Sequence, residues 1–184
     1  MRPIRSMSRI LKLALPTTLT LALVACHGSS PTSPSGAAKL EVRMTDAATD
    51  AVSELNVHIT GLTVKPKDGP VMQIAGDVGT VDLLKLQGTS KLLATADVPP
   101  GDYEFVQVEL SPDGSNVVEK TGLQISVVLA SNEVKVLGGF TVSADQTTSV
   151  LLDFKADQSL RLEGNGTWLL TPVIVQASAS TNGG

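Results

Sequence analysis

Residues 55–64 read Leu-Asn-Val-His-Ile-Thr-Gly-Leu-Thr-Val, and this stretch decides the fold class. Before Gly61, apolar residues alternate with polar ones, which is the period-two pattern of a half-buried β-strand. After Gly61, the apolar residues resume on the opposite parity, at Leu62 and Val64. A glycine at such a change of parity predicts a β-bulge inside one long strand.

The same alternation recurs on both sides of this stretch. Leu40, Val42 and Met44 alternate with charged residues and predict an earlier strand. Only residues 83–93, through their leucines, suggest a helical turn. Further strand-like runs cover residues 71–74, 92–98, 103–110, 123–129, 134–137, 140–142, 150–154 and 168–175.

Turn-forming residues separate these runs. They lie at residues 66–70, 99–102, 112–114, 138–139 and 165–166. Asn165-Gly166 is the strongest hairpin signal, because Asn-Gly fits a type I′ turn. Many short strands joined by polar turns predict an all-β fold, an antiparallel β-sandwich of immunoglobulin-like or prealbumin-like type.

The N-terminal part has the features of a lipoprotein signal peptide. Four cations, with no acidic residue among them, precede a short apolar run, and Leu23-Val24-Ala25-Cys26 has the form of a lipobox. A membrane span is disfavoured, because the run is shorter than about 20 residues and Pro16 interrupts it. The alternative, a secreted protein with a free thiol, would leave one odd cysteine in an oxidising compartment. We therefore expect residues 1–25 to be removed and Cys26 to be lipidated.

The remainder divides into a tether, a domain and a tail. Residues 26–38 are the lipidated cysteine followed by small and polar residues with two prolines, which predicts a disordered tether. Residues 39–178 form the predicted sandwich, and residues 179–184 a disordered tail. The expected location is the cell envelope, with membrane attachment through the N-terminal lipid. In a diderm host, His27 predicts the outer membrane, because it is not Asp.

Charge limits the possible partners. Of the 14 Lys and Arg, four lie in the signal peptide, and all 18 Asp and Glu follow Cys26, so the mature part carries 10 − 18 = −8. An acidic domain repels phosphate backbones, which excludes nucleic acid as an expected partner. With Cys26 acylated, no disulfide is available and the hydrophobic core must supply stability. No cofactor is expected.

Catalytic motifs are weak. His58 is the one histidine of the predicted domain, and nucleophilic catalysis would need it beside a serine and a carboxylate. No Gly-x-Ser-x-Gly motif accompanies it, so we expect an exposed strand residue. Gly138-Gly139 precedes a strand, which fits neither a P-loop nor a dinucleotide fingerprint.

Acidic residues at strand ends are the better candidates for a binding site. Calcium takes six to eight oxygen ligands, and converging loop carboxylates supply them. No Asp-x-Asp-x-Asp-Gly loop is present, so we expect turn-forming carboxylates and no metal site. Asp46, Asp82 and Asp153 are kept as possible binding residues, with Asp50 and Asp157 at similar positions.

Carbohydrate binding would need an exposed aromatic side chain. Aromatic residues make up only 3% of the chain, and all of them fall in strand-like runs where burial is the default. Tyr103, at a strand start, can instead close a corner by bonding the backbone. Trp168, just after the Asn-Gly turn, is the aromatic to test for exposure.

Several spaced motifs occur in order along the chain: residues 40–47, 82–86, 100–103, 153–156 with Ser159, and 170–174. Together they resemble a family of bacterial lipoproteins with a domain of unknown function (DUF4382-like). The resemblance covers residues 39–176 and implies a secreted, lipid-anchored, mostly β domain with no assigned reaction. The chain departs from the family pattern at Ala48, where a proline is common, and at Lys155, where a second Asp is common.

The sequence therefore predicts a non-enzymatic, lipid-anchored β-sandwich of binding or structural type. The expected partner beyond the membrane is an unknown envelope protein or glycan. One alternative is a hydrolase, which would need two carboxylates about 5–9 Å apart in a cleft. Another is a calcium- or carbohydrate-binding surface module.

Overall fold

The computed structural model describes residues 36, 38–46 and 49–183, all within one unit that spans Ser33–Gly184. The predicted signal peptide, Cys26 and most of the predicted tether lie outside the described residues. None of the helices in the described part of the chain has the length and apolar character needed to cross a membrane.

Strands dominate the described residues, which also form a 3₁₀ turn at Leu83–Leu86, as the leucines there predict, and a short helix α1 at Ala156–Ser159. The strands are β1 (Ala38–Asp46), β2 (Glu54–Pro66), β3 (Met72–Ala75), β4 (Gly79–Asp82), β5 (Lys91–Val98), β6 (Gly101–Val118), β7 (Gln124–Leu129), β8 (Glu133–Val142), β9 (Gln146–Phe154), β10 (Leu160–Leu162), β11 (Trp168–Leu170) and β12 (Ile174–Gly183).

The strands form two sheets, which confirms the predicted all-β sandwich. The four-stranded sheet has the order β12-β9-β1-β5. The eight-stranded sheet has the order β10-β11-β7-β6-β2-β3, with β4 also paired to β2 and β8 to β6. The sheets are not purely antiparallel, as the sequence predicted, but mixed, because β1 pairs with β9 and β7 pairs with β11 in parallel. Parallel neighbours need a long crossover, and some 100 residues separate β1 from β9.

The bulge predicted at Gly61 is present in β2. The pairing with β6 shifts between Ile59 and Gly61, and Leu62 and Val64 beyond the shift are fully buried. Glu109 of β6 approaches so closely that a Cβ at position 61 would lie 2.6 Å from its Oε2. Gly61 therefore permits both the change of parity and the close approach of the neighbouring strand.

The core lies between the facing sides of the two sheets. Leu40 and Val42 of β1 and Leu152 and Phe154 of β9 are fully buried on one side. They belong to one continuous apolar cluster with the buried residues of β2 and β6, including Val106. Burial of this cluster supplies the main stabilising free energy of the sandwich.

Two predicted breaks are bulges within longer strands. β6 continues through residues 112–114. On β2, Asn56 pairs with Asn116 of β6, whereas His58 pairs with Ser111. More residues of β6 than of β2 lie between these two pairs, so the extra residues of β6 bulge out of the sheet. β8 continues through residues 138–139, where its pairing with β6 also shifts. Glycine and proline interrupt pairing locally, yet the flanking residues return to the same partner strand.

The C-terminal boundary was predicted too early. Instead of a disordered tail from residue 179, β12 remains paired with β9 as far as Gly183, which faces Gln146. Backbone groups make this pairing, so the small polar side chains of the segment do not prevent it.

The hairpin predicted at Asn165-Gly166 joins β10 to β11. Gly166 has a φ of +81°, whereas Asn165 is not among the residues with positive φ. A type I′ turn needs positive φ at both central residues, so the turn type differs from the prediction.

Candidate functional site

Asp46 and Asp153 lie at the ends of the adjacent parallel strands β1 and β9. The register pairs Asp46 with Phe154 and Thr45 with Asp153. Because successive side chains of a strand point to opposite faces, the two carboxylates lie on opposite faces of the sheet. They therefore do not form the facing pair that the hydrolase alternative requires.

Each of these two carboxylates has a local partner. Asp46 is buried, and its Oδ1 accepts a hydrogen bond of 3.1 Å from the backbone N–H of Ala156, at the start of α1. Asp153 Oδ2 accepts a hydrogen bond from the ammonium of Lys155. This bond raises the pKa of Lys155, so the ammonium stays charged. The chain's own cation thus neutralises Asp153.

Ser159 completes this corner. Its hydroxyl donates to the carbonyl of Lys155 at 2.6 Å and accepts from the N–H of Val173 at 2.9 Å. The N–H of Lys155 in turn donates to the carbonyl of Val173 at 2.9 Å. We call the group formed by Asp46, Asp153, Lys155 and Ser159 the aspartate end. Its motif residues hold β1, β9, α1 and the segment before β12 together.

Asp82 has a separate structural role. Its Oδ1 accepts from the N–H of Leu84 at 3.2 Å and caps the 3₁₀ turn. Its Oδ2 lies 3.1 Å from the ammonium of Lys85, and this contact raises the pKa of Lys85. Asp50 and Asp157 are exposed. In the described part of the chain, no three His, Cys, Asp or Glu side chains form a group that could hold a metal ion.

Trp168 offers no exposed ring. It is 5% exposed, and its Nε1 donates to Glu119 Oε1 at 3.1 Å. Phe105, which the sequence placed among the buried aromatics, is half-buried, and the ammonium of Lys135 lies 5.4 Å from its ring centre. No sequence signal separated Phe105 from the others, since its exposure depends on its place on the outer side of β6.

His58 is not the exposed strand residue that the sequence suggested. Its side chain is 24% exposed, and both ring nitrogens have partners. Nδ1 lies 2.7 Å from the carbonyl oxygen of Asp113, and Nε2 lies 2.8 Å from Asp77 Oδ1. These contacts, the Asp113 carbonyl first, raise the pKa of His58, and the contact with His58 lowers the pKa of Asp77. Both neighbouring oxygens are acceptors, so they favour the protonated ring, which donates from both nitrogens and has no lone pair for a general base.

A pocket of about 200 Å³ lies at the opposite end of the sandwich from Asp46. Two turns form it, the β2–β3 turn and the β5–β6 turn. We call it the proline pocket. Its lining includes Met72, Tyr103, Asp68, Asp102 and four prolines: Pro66, Pro70, Pro99 and Pro100. Asp102 and Tyr103 are successive residues of β6, so their side chains lie on opposite faces of the sheet, and the Asp102 carboxylate accepts a hydrogen bond from Thr141 of β8.

The two turns are held in place by backbone hydrogen bonds. The N–H of Lys67 donates to the carbonyl of Asp102 at 2.8 Å, which ties one turn to the other. The ammonium of Lys65 donates to the carbonyls of Pro66 at 2.7 Å and Gly69 at 2.8 Å. Because each proline also fixes its own φ, the pocket is built before any ligand arrives.

Tyr103 forms the back wall and closes the corner as the sequence suggested. Its hydroxyl donates to the carbonyl of Pro99 at 2.7 Å. Its ring stacks on Phe140, with the ring centres 5.1 Å apart. Burial raises the pKa of Tyr103, so the hydroxyl remains a neutral donor.

The pocket lies where β1 enters the sandwich. Ala38 faces Val98 in the pairing of β1 with β5, and Pro99 follows directly. The sequence predicted both turns but not that they lie next to each other. Their proximity depends on the pairing of Pro66 on β2 with Tyr103 on β6.

The comparisons with known proteins assign a family but no reaction. The family model described as Domain of unknown function (DUF4382) matches residues 37–172. No curated protein and no solved structure shows significant similarity to the chain.

Proposed function

The chain belongs to the DUF4382 family, and from this premise we propose that it is a lipid-anchored β-sandwich of the cell envelope that acts by binding, without catalysis. The lipobox at residues 23–26 supports the anchor, because it follows a positive segment and a short apolar run in the expected order. Two or more acyl chains hold a protein on a membrane stably, whereas one chain binds only marginally.

The proline pocket is the observation that carries the binding function. It is concave, mostly apolar and fixed by prolines and backbone hydrogen bonds. Binding sites commonly combine such apolar walls with a few polar groups that orient the ligand. Asp68 is the charged residue of the β2–β3 turn here, and it forms no ion pair with any described residue, unlike Asp82 and Asp153.

The pocket also lies at the end where the chain from the proposed anchor enters the domain. The proposed anchor and the pocket would therefore be joined through the same end of the domain.

Labelling with palmitate tests the anchor. Cys26→Ser should abolish incorporation of radioactive palmitate and leave the precursor uncleaved, because the serine hydroxyl does not form the thioether. Ser30→Ala, in the same segment, is the matched control and should label as the wild type does. Incorporation into Cys26→Ser would refute the anchor. Fractionation of a diderm host should place the wild type in the outer membrane.

Capture of partners from envelope extracts tests the pocket. Met72→Glu places a carboxylate on the apolar wall, and we expect it to lose any protein that the wild type retains. Val71→Glu is the matched control, because Val71 is the preceding residue, is 52% exposed and does not line the pocket. Retention of the same partners by both variants would refute binding at this pocket.

A further inference from the structure

We propose that the hairpin at residues 163–167 is an acceptor site for an N-linked glycan, which Asn165 carries. The inference goes beyond the proposed binding function and rests on one part of it, the export of the domain, because exported chains receive this modification. Two sets of observations lead to it: the sequence of the hairpin, and the exposure and hydrogen bonds of its side chains.

The hairpin contains the acceptor sequence of N-glycosylation. Asn165-Gly166-Thr167 has the form Asn-x-Thr, in which x is not proline. Of the five asparagines in the sequence, Asn165 is the one followed at the second position by a serine or threonine; the others are Asn56, Asn116, Asn132 and Asn182. A motif of three residues is short, so it indicates a site only where the folded chain exposes it.

The fold places this motif at the tip of an exposed turn. Residues 163–167 join β10 to β11, and β10 is the outermost strand of the eight-stranded sheet. Asn165 and Gly166 are exposed, and Thr167 is half-buried. Because β10 has a paired strand on one side only, a large transferase and its glycan donor have room to approach the turn.

Hydrogen bonds fix the turn without using the reacting groups. The N–H of Gly166 donates to the carbonyl of Glu163 at 2.9 Å, and the N–H of Glu163 donates to the carbonyl of Thr167 at 2.9 Å. Asn165 Oδ1 accepts from the N–H of Thr167 at 3.0 Å. Among the described residues, neither the Nδ2 of Asn165 nor the hydroxyl of Thr167 has a hydrogen-bond partner. The turn therefore presents both groups to an enzyme.

The reaction is the transfer of a glycosyl group to a carboxamide. Asn165 Nδ2 forms a bond to the anomeric carbon of an oligosaccharide that is carried on a lipid diphosphate. The bond from that carbon to the diphosphate oxygen breaks, and the lipid diphosphate leaves with the bonding electrons. The proton lost from Nδ2 passes to a base of the transferase, and nothing is oxidised or reduced. The hydrogen bond at Oδ1 polarises the carboxamide and makes the Nδ2 protons more acidic.

A glycan at this position would also protect the edge of the sheet. The outer side of β10 has no paired strand among the described residues, and Leu162 on it is 50% exposed. An open strand edge with an exposed apolar side chain can pair with another chain. A glycan is bulky and solubilising, so one on Asn165 would stand next to this edge and block such pairing.

Glycosylation in vitro tests the acceptor. The folded full chain in detergent micelles is incubated with a purified oligosaccharyltransferase and a radiolabelled oligosaccharide on a lipid diphosphate. A known acceptor peptide shows that the enzyme is active. Trypsin cleaves after Arg161 and then at no later position, so residues 162–184 form one peptide. We expect the label in this peptide, on Asn165. An unlabelled chain beside a labelled control peptide would overturn the proposal.

Variants of the motif separate recognition from folding. Asn165→Gln should lose the label, and Asn182→Gln is the matched control, because Asn182 lies in the same tryptic peptide but outside an acceptor sequence. Thr167→Val should lose the label because it lacks the hydroxyl, whereas Thr167→Ser keeps the hydroxyl and should retain it. Equal labelling of the two Thr167 variants would overturn the proposal.

The glycan and the anchor fail in different ways. A chain that incorporates palmitate but receives no glycan in vitro refutes the acceptor site and leaves the anchor. A chain that receives the glycan in vitro but incorporates no palmitate in cells refutes the anchor and leaves the acceptor site.

Discussion

The aspartate end and the proline pocket use the same kind of residue in opposite ways. At the aspartate end, Asp46 and Asp153 are occupied by the Ala156 N–H and the Lys155 ammonium, so the carboxylates hold the fold. At the proline pocket, prolines and backbone bonds hold the turns, and Asp68 and Asp102 pair with no described cation. Acidic residues therefore stabilise the backbone at the aspartate end, whereas prolines and backbone hydrogen bonds do so at the proline pocket.

The first prediction tests this contrast through stability. Asp46→Ala should lower the free energy of unfolding by about 1.5–3 kcal/mol, because it removes a buried charged acceptor from the Ala156 N–H. Asp68→Ala at the pocket should change it by no more than about 0.5 kcal/mol, since the side chain is exposed. Urea denaturation of both variants measures the difference. Equal losses would remove the distinction between the two ends.

The second prediction concerns what holds the pocket. Tyr103→Phe removes the hydroxyl that donates to Pro99 but keeps the ring stacked on Phe140. We expect a loss of about 1 kcal/mol in the free energy of unfolding, because one intramolecular hydrogen bond disappears. The control is Phe105→Leu, on the outer side of β6. Phe140→Tyr is not suitable as a control, because it buries a new hydroxyl. An unchanged stability for Tyr103→Phe would mean that the prolines alone hold the turn.

The sequence predicts a feature of this fold when the residues that cause it lie close together in the chain. The bulge at Gly61 was predicted because its signal, the change of parity, lies within ten residues. The sequence also marked Lys155 as a departure from the family pattern, and its ammonium donates a hydrogen bond to Asp153. In these cases a local pattern carries the physical cause.

The contacts that the sequence did not predict are long-range. Nothing in the period-two pattern states that β1 and β9 pair in parallel, and that register places Asp46 and Asp153 on opposite faces. The proline pocket similarly needs Pro66 to pair with Tyr103. For His58, the missing fact was that the looped-out residues 112–114 fold back over the ring.

The third prediction concerns His58, which ties β6 and Asp77 to β2 midway along the sandwich. Contacts with Asp113 and Asp77 raise its folded-state pKa above the ordinary value of 6.5. The stabilisation is therefore fully present below the unfolded-state pKa and is lost as pH rises through the folded-state pKa. The stability difference between wild type and His58→Gln should be larger near about pH 5 than near about pH 8. A difference that grows with pH would contradict the imidazolium assignment.

The control for this experiment is Asp77→Asn. It keeps an acceptor near Nε2 but removes the charge, so the pH dependence should become weaker without disappearing. His27 is the other histidine of the sequence and lies outside the described residues, so His27→Gln should leave the pH dependence unchanged.

The last prediction is that calcium does not change the thermal stability of the protein. A calcium site with a Kd of about 10 µM would add about 2.7 kcal/mol at about 1 mM calcium, which a thermal melt detects easily. We expect no change in Tm, because Asp46 and Asp153 lie on opposite faces and Lys155 neutralises the second of them. Lys155→Ala is the sharper case, since it frees Asp153 but leaves the faces opposed. Calcium stabilisation of that variant would mean that charge, and not strand register, prevents a metal site at the aspartate end.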